Sequence, residues 1–184
     1  MSMPLIIVIA VVVLLVLWVI GTYNGFIKIR TKCEEGFATM DVYLKKRFDL
    51  IPNLVATVKG YAKHEAETLE KVIAARNAGT RNSVGEKIED ENQISNAIRQ
   101  IFALSESYPD LKANTNFKEL QTQLTSIEDD IANSRKYYNA VVKQFNTKCQ
   151  VVPSNIIAKI FGFTPQPMFT VDSAEERANV KVEF

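Results

Sequence analysis

The sequence predicts an all-α protein: one N-terminal transmembrane helix, an antiparallel up-and-down four-helix bundle, and an irregular C-terminal tail. Three observations predict it. Leu5 to Ile20 is an unbroken apolar run. Beyond it, apolar residues recur three and four apart, the spacing of one helix face. Pro52, the Gly79 to Gly85 stretch and Pro109 then cut that pattern into pieces. The expected domains are an anchor over 1–25, a bundle over 26–150, and an apolar segment with an extended tail over 151–184.

At about 1.5 Å per residue the apolar run reaches roughly 24 Å, and continuing through Gly21, Thr22 and Tyr23 brings it near the ~30 Å hydrocarbon core of a bilayer. No charged side chain precedes Lys28, and Trp18 and Tyr23 stand where interfacial aromatics anchor a span. A cleaved leader would want a basic start and a small-x-small site, and neither surrounds this run, so it reads as a retained anchor. Lys28, Arg30 and Lys32 lie just past it, and the positive-inside rule puts the bulk of the chain in the cytoplasm. That makes the expected location an inner (plasma) membrane, crossed once. A periplasmic or extracellular bulk is the alternative.

The remainder suits one domain with a proper core. All 22 Lys and Arg and all 21 Asp and Glu lie outside the run, mixed in sign, which gives no nucleic-acid footprint. Cys33 and Cys149 are too few and too distant for a disulfide scaffold or a Cys-x-x-Cys metal site, and read as reduced helix residues.

The first bundle helix carries Phe26, Ile29, Cys33, Phe37, Met40, Leu44, Phe48 and Ile51. Proline lacks an amide and disfavours helix in the residue before it, so Asp49 to Pro52 is expected to be a turn, with a kink as the alternative. A second helix carries Leu54, Val55, Val58, Leu69 and Val72 and ends at Gly79. A third runs from about Glu86 to Ser107, closed by Pro109. The fourth has the clearest, coiled-coil-like spacing: Phe117, Leu120, Leu124, Ile127, Ile131, Ser134, Tyr138, Val141 and Phe145. Either Asn114 or Thr115 can cap it.

The tail departs from this pattern. Val151 to Phe163 is apolar with one charge, Lys159, and its prolines prevent a long helix. Helix four is expected to deliver this segment to the bilayer, so Ile156, Ile160, Phe161 and Phe163 join Trp18 and Tyr23 as candidate membrane-interface residues, with packing on the bundle or on a neighbouring subunit as the alternative. The same topology places Cys33 and Cys149 in one half of the bundle. The last residues, Val180 to Phe184, alternate like a strand.

Catalytic chemistry finds few groups. The single histidine, His64, shares a helical face with Glu67, but a carboxylate-bridged di-iron bundle needs Glu-x-x-His on two helices and a zinc hydrolase helix needs a second histidine. There is no Gly-x-Ser-x-Gly elbow and no glycine-rich phosphate loop. The expectation is no catalytic residue, no cofactor and no metal. Two segments stand out instead. Arg47, Asp49, Pro52 and Asn53, with Tyr108, Pro109, Asp110 and Lys112, set both signs of charge beside prolines at two expected helix junctions. Turn formation accounts for the proline and Asx chemistry, and the exposed charges make these the candidate partner-binding residues.

Several strings resemble the LemA family: Leu44-Lys45-Lys46-Arg47-Phe48-Asp49-Leu50-Ile51-Pro52-Asn53-Leu54-Val55, Tyr108-Pro109-Asp110-Leu111-Lys112, Arg135-Lys136-Tyr137-Tyr138-Asn139 and Phe161-Gly162-Phe163. The likeness runs through nearly the whole chain. It implies a bacterial single-pass membrane protein with a helical-bundle domain, and it brings no catalytic residue with it. The expected function is a membrane-anchored, non-enzymatic interaction or scaffolding protein, forming homo-oligomers and binding a protein partner not named by the sequence. A membrane-shaping module, or an enzyme whose site forms only between subunits, are the alternatives.

Overall fold

The computed structural model describes residues 2–62, 64–78 and 84–169, with backbone alone at 78 and 84–92. Every element among the described residues is a helix: α1 (Met3–Tyr61), α2 (Ala66–Ala78), α3 (Val84–Ser105), α4 (Pro109–Ala113), α5 (Thr115–Gln150) and α6 (Ser154–Phe161). They form two compact units, the first from Met1–Thr39 with Ser134–Met168, the second from Met40–Asn133 with Phe169. The strand-like alternation at 180–184 lies outside the described residues.

α1 changes character along its length. Its apolar run is exposed on every side, long and apolar enough to cross a membrane. From Phe26 onward only one stripe is buried: Phe26, Cys33, Met40, Leu44, Arg47, Ile51, Leu54 and Val58. These recur three, four or seven apart, so they share one face.

The expected turn at Asp49 to Pro52 does not form; Pro52 lies inside α1, and the helix runs on to Tyr61. The physical reason is the stripe, which crosses Pro52 without a change of phase, from Arg47 and Ile51 to Leu54 and Val58. Pro52 itself is exposed, so water can reach the Phe48 carbonyl that proline leaves without an amide partner. The break expected at proline falls instead between Tyr61 and Ala66. The third and fourth expected helices match α3 and α5 closely. Of the two candidate caps for α5, Asn114 is used: its Oδ1 accepts the Phe117 amide at 2.9 Å.

In the first unit, rings hold α1 to the C-terminal third of the chain. Phe26 stacks on Phe163 with centroids 4.7 Å apart and meets Phe145 edge-on at 6.0 Å, while Phe37 lies 5.9 Å from Tyr138. Such aromatic pairs are each worth about 0.5–1.5 kcal/mol beyond the area they bury. Gly36 is buried here, and a Cβ on it would stand 3.2 Å from the Tyr137 ring, so glycine lets the helices approach closely. Cys33 and Cys149 both belong to this unit. Burial, with a smaller contribution from Glu34, raises the Cys33 thiol above its ordinary value, and burial likewise raises Cys149. After α6, Gly162 adopts a left-handed conformation and the Phe163 amide donates back to the Ala158 carbonyl at 2.9 Å. The extended stretch that follows is strapped down by Asn146. Its Nδ2 donates to the Gln166 carbonyl at 2.9 Å, and its Oδ1 accepts the Gln166 amide at 2.8 Å.

The second unit has one apolar core, joining Ile51, Leu54 and Val58 of α1 to Leu69 and Val72 of α2, Ile94, Ile98 and Ile101 of α3, Leu111 of α4, and Phe117 and Leu124 of α5. A polar triad lies in the same unit. Arg47, 1% exposed, donates through Nη1 to Glu128 Oε1 at 2.6 Å and to Ser95 Oγ at 2.8 Å, and Ser95 donates to Glu128 Oε2 at 3.0 Å.

Two outcomes follow in thermal unfolding of the detergent-solubilised chain followed by circular dichroism. Glu128→Ala leaves a buried guanidinium without its carboxylate and should destabilise by about 3–5 kcal/mol, while Arg47→Met with Glu128→Leu should recover most of the loss. Pro52→Ala restores a hydrogen bond in an uninterrupted helix and should stabilise by about 1–3 kcal/mol. A turn at that position would give the opposite sign.

Candidate functional site

The residues singled out from sequence separate into two places. Tyr108 to Asn114 forms a tight junction in the second unit. Pro109 starts α4, where its missing amide costs nothing, Asp110 occupies the first turn and Leu111 is fully buried. Lys112 pairs with Glu106. The junction is tied to the end of α1: Tyr108 donates its hydroxyl to Glu65 Oε1 at 3.0 Å, and Asn114 Nδ2 donates to the Tyr61 hydroxyl at 2.9 Å. Asn114 therefore caps α5 with its oxygen and holds Tyr61 with its nitrogen. Pro109, Asp110 and Lys112 are exposed around this junction.

The other predicted cluster is not at a junction. Asp49, Pro52 and Asn53 are exposed along α1, where Asp49 lies 3.9 Å from Lys45 and the Asn53 carbonyl accepts the Thr57 hydroxyl. Arg47 points the other way, into the triad with Ser95 and Glu128. The neighbours that the structure gives Tyr108 and Asn114 are Glu65 and Tyr61, which sequence reasoning did not single out. A signal for Arg47 was present: it occupies a stripe position between Leu44 and Ile51, and a cation there requires a buried acceptor. Nothing in the linear sequence pairs it with Glu128, 81 residues away.

Of the predicted interface residues, Tyr23, Phe161 and Phe163 come together in the first unit. Tyr23 lies 4.7 Å from Phe161 and 5.8 Å from Phe163, ring centre to ring centre. Trp18, Gly21 and Thr22 line an open pocket of about 360 Å³ with Lys148, Pro153 and Ser154. Lys148 rests its ammonium 4.8 Å from the Phe26 ring centre, and burial lowers its pKa. Ile156, Ile160 and Phe161 are exposed, whereas Ile157 and Ala158 are buried.

His64 is exposed, and no three His, Cys, Asp or Glu side chains converge among the described residues. The arrangement defines an all-helical protein with one helix apolar enough to span a bilayer, carrying a rigid polar junction and an exposed apolar helix face. Comparison with known proteins gives it a family. A model of the LemA family matches residues 36–184, well over half the chain, and the chain belongs to that family. It is similar to magnetosome proteins MamQ 2 and MamQ 1 of Paramagnetospirillum magneticum, each 24% identical over 168 residues, covering 77% of this chain and 62% of the relative. It is similar as well to protein LemA of Metamycoplasma hominis, 24% identical over 142 residues, covering 76% of this chain and 65% of the relative. The chain thus spans less than two thirds of the length of these relatives.

The Tyr108–Glu65 contact carries a pH dependence. The hydrogen bond to Glu65, more than burial or its charge, raises the phenol above its ordinary value. A raised folded-state pKa means that the stabilisation is fully present below about pH 10 and is lost as pH rises through the raised value. Thermal melts between neutral and strongly alkaline pH should therefore show an alkaline loss of stability that Tyr108→Phe diminishes. An identical alkaline loss in wild type and variant would remove Tyr108 from the account.

Proposed function

We propose that this chain is a membrane-anchored, non-enzymatic interaction or scaffolding protein that self-associates. In this reading the apolar run of α1 crosses a bacterial inner membrane once, and α1, α2, α3 and α5 pack as an antiparallel four-helix bundle in the cytoplasm. The observation that carries the reading is the change along α1 from an apolar surface exposed all round to a single buried stripe, the pattern expected where one helix passes from lipid into a protein core. The order of ring contacts, Phe26 with Phe145 and then Phe37 with Tyr138, supports opposite directions for α1 and α5. Lys28, Arg30 and Lys32 support the cytoplasmic side.

The partner surface in this proposal is the junction of Tyr108, Pro109, Asp110 and Lys112, with the exposed Asp49, Pro52 and Asn53 of α1 as a second, separate patch and Arg47 holding α1 in place from its buried side. A junction fixed by proline, a cap and two side-chain hydrogen bonds presents its charges at little ordering cost, which suits recognition. Anchoring in a plane raises the effective concentration of such surfaces, so weak lateral contacts suffice for assembly.

The mass of the detergent-solubilised particle tests the reading. A protein mass that is a multiple of 20.7 kDa is expected for the wild type. Asp110→Lys with Lys112→Glu should keep helicity and melting while shifting the particle toward one chain. A wild-type particle of one chain at every concentration overturns self-association, and a mass unaffected by charge reversal moves the contact elsewhere.

A further inference from the structure

The geometry of the first unit points to a second membrane contact besides the span: we infer that α6 and the residues just before it form an interfacial foot, with Val152, Ile156 and Ile160 entering the acyl boundary of the bilayer. This rests on the reading of α1 as a membrane anchor. Three independent features place the foot. First, α6 is two-sided. Ile157 and Ala158 are each 2% exposed, whereas Ile156, Ile160 and Val152 are 52%, 68% and 78% exposed. In a helix of 3.6 residues per turn Ile156 and Ile160 lie about 40° apart on one face, and the midline of the buried pair is turned roughly 130° away from it.

Second, the level of α6 along α1 is fixed. Phe161 and Phe163 both meet Tyr23, and Phe163 stacks on Phe26. Tyr23 stands three residues past Ile20, the last of the apolar run, where an anchor helix leaves the hydrocarbon. Third, the turn that leads into α6 adjoins the span, because Trp18, Gly21 and Thr22 line one pocket with Pro153. The occupant of the α6 face is therefore the one already required by the neighbouring surface of α1: the lipid bilayer.

The charges agree with this placement. Lys159 is exposed on α6 beside Ile156 and Ile160, and Lys148 lines the pocket. An amphipathic helix with apolar side chains directed at the acyl boundary and flanking lysines at headgroup height is the form an interfacial helix takes, and the lysines favour anionic lipid. A span joined to such a foot is fixed in rotation about its own axis, which a lone helix is not.

The chain contains one tryptophan, Trp18, so fluorescence can address the span and the foot separately. The full-length protein is reconstituted into phosphatidylethanolamine and phosphatidylglycerol vesicles whose acyl chains carry bromine at a shallow or a deep position. Quenching of Trp18 in the wild type reports the anchor. In Trp18→Phe with Ile160→Trp the only indole reports α6, at a position exposed enough to accept it without repacking. The expected result is blue-shifted emission quenched about twofold or more, more strongly by shallow than by deep bromine, as for a side chain some 5–10 Å into the interface. A solvent-like, unquenched indole at position 160, with Trp18 quenched in the wild type, overturns the foot and leaves the anchor standing. Unquenched Trp18 overturns the anchor and the foot with it. Blue-shifted but unquenched emission from position 160 assigns the face to another protein surface and also overturns the inference.

Discussion

α1 has to satisfy two incompatible surroundings with one continuous run of hydrogen bonds. In its apolar stretch every backbone amide and carbonyl must be paired within the helix if no water is at hand, so the segment can be nothing but helix. That helix does not stop where the apolar run stops. It continues through Phe26 and Pro52 to Tyr61, and its surface narrows from apolar all round to a single stripe. Both units build their cores against that stripe, the first on Phe26 and Cys33, the second on Met40, Leu44, Ile51, Leu54 and Val58. A helix already committed at one end propagates at low cost, because nucleation has been met. This is why a proline that would halt an isolated helix is carried through here.

Polar groups set what apolar packing leaves open. A stripe of leucine and isoleucine tolerates sliding and rotation, whereas a buried guanidinium accepts only a position where its acceptors wait. Arg47 demands Glu128 and Ser95 together, and so joins α1, α3 and α5 in one register. Tyr61 with Asn114 and Glu65 with Tyr108 do the same for the short α4 segment, at the surface and with neutral or half-neutral partners. One device is buried, the other lies at the surface. The exposed one is the better suited to contact other molecules.

Much of this was legible in the residues. The apolar run, the stripe of α1 and the length and phase of α5 are local signals, and the structure carries them as read; of the two caps open to α5 it uses Asn114, and within the tail expected to be irregular it forms α6. At Pro52 the phase of the stripe outweighs the local chemistry of proline. The spacing of Ile51, Leu54 and Val58 carries on across it, which is the signature of a continuous helix. The true break, between Tyr61 and Ala66, has no proline to mark it and depends on contacts with Tyr108 and Asn114. Arg47's destination was not legible for a different reason: its partners lie 48 and 81 residues away, and only the packed fold brings them within reach.

The strap at Asn146 depends on an amide and no other side chain of its shape. Its amide offers Gln166 one donor and one acceptor, the same pair that a backbone peptide would present, so an extended segment is held to a helix without any strand to pair with. Deamidation would turn that side chain into a carboxylate, which still accepts from the Gln166 amide but has no hydrogen to give the Gln166 carbonyl. Half of the clamp would be lost and the remaining carbonyl would face a negative charge. Exchange of one side-chain nitrogen for oxygen would thus loosen the stretch beyond Phe163 at its attachment to α5.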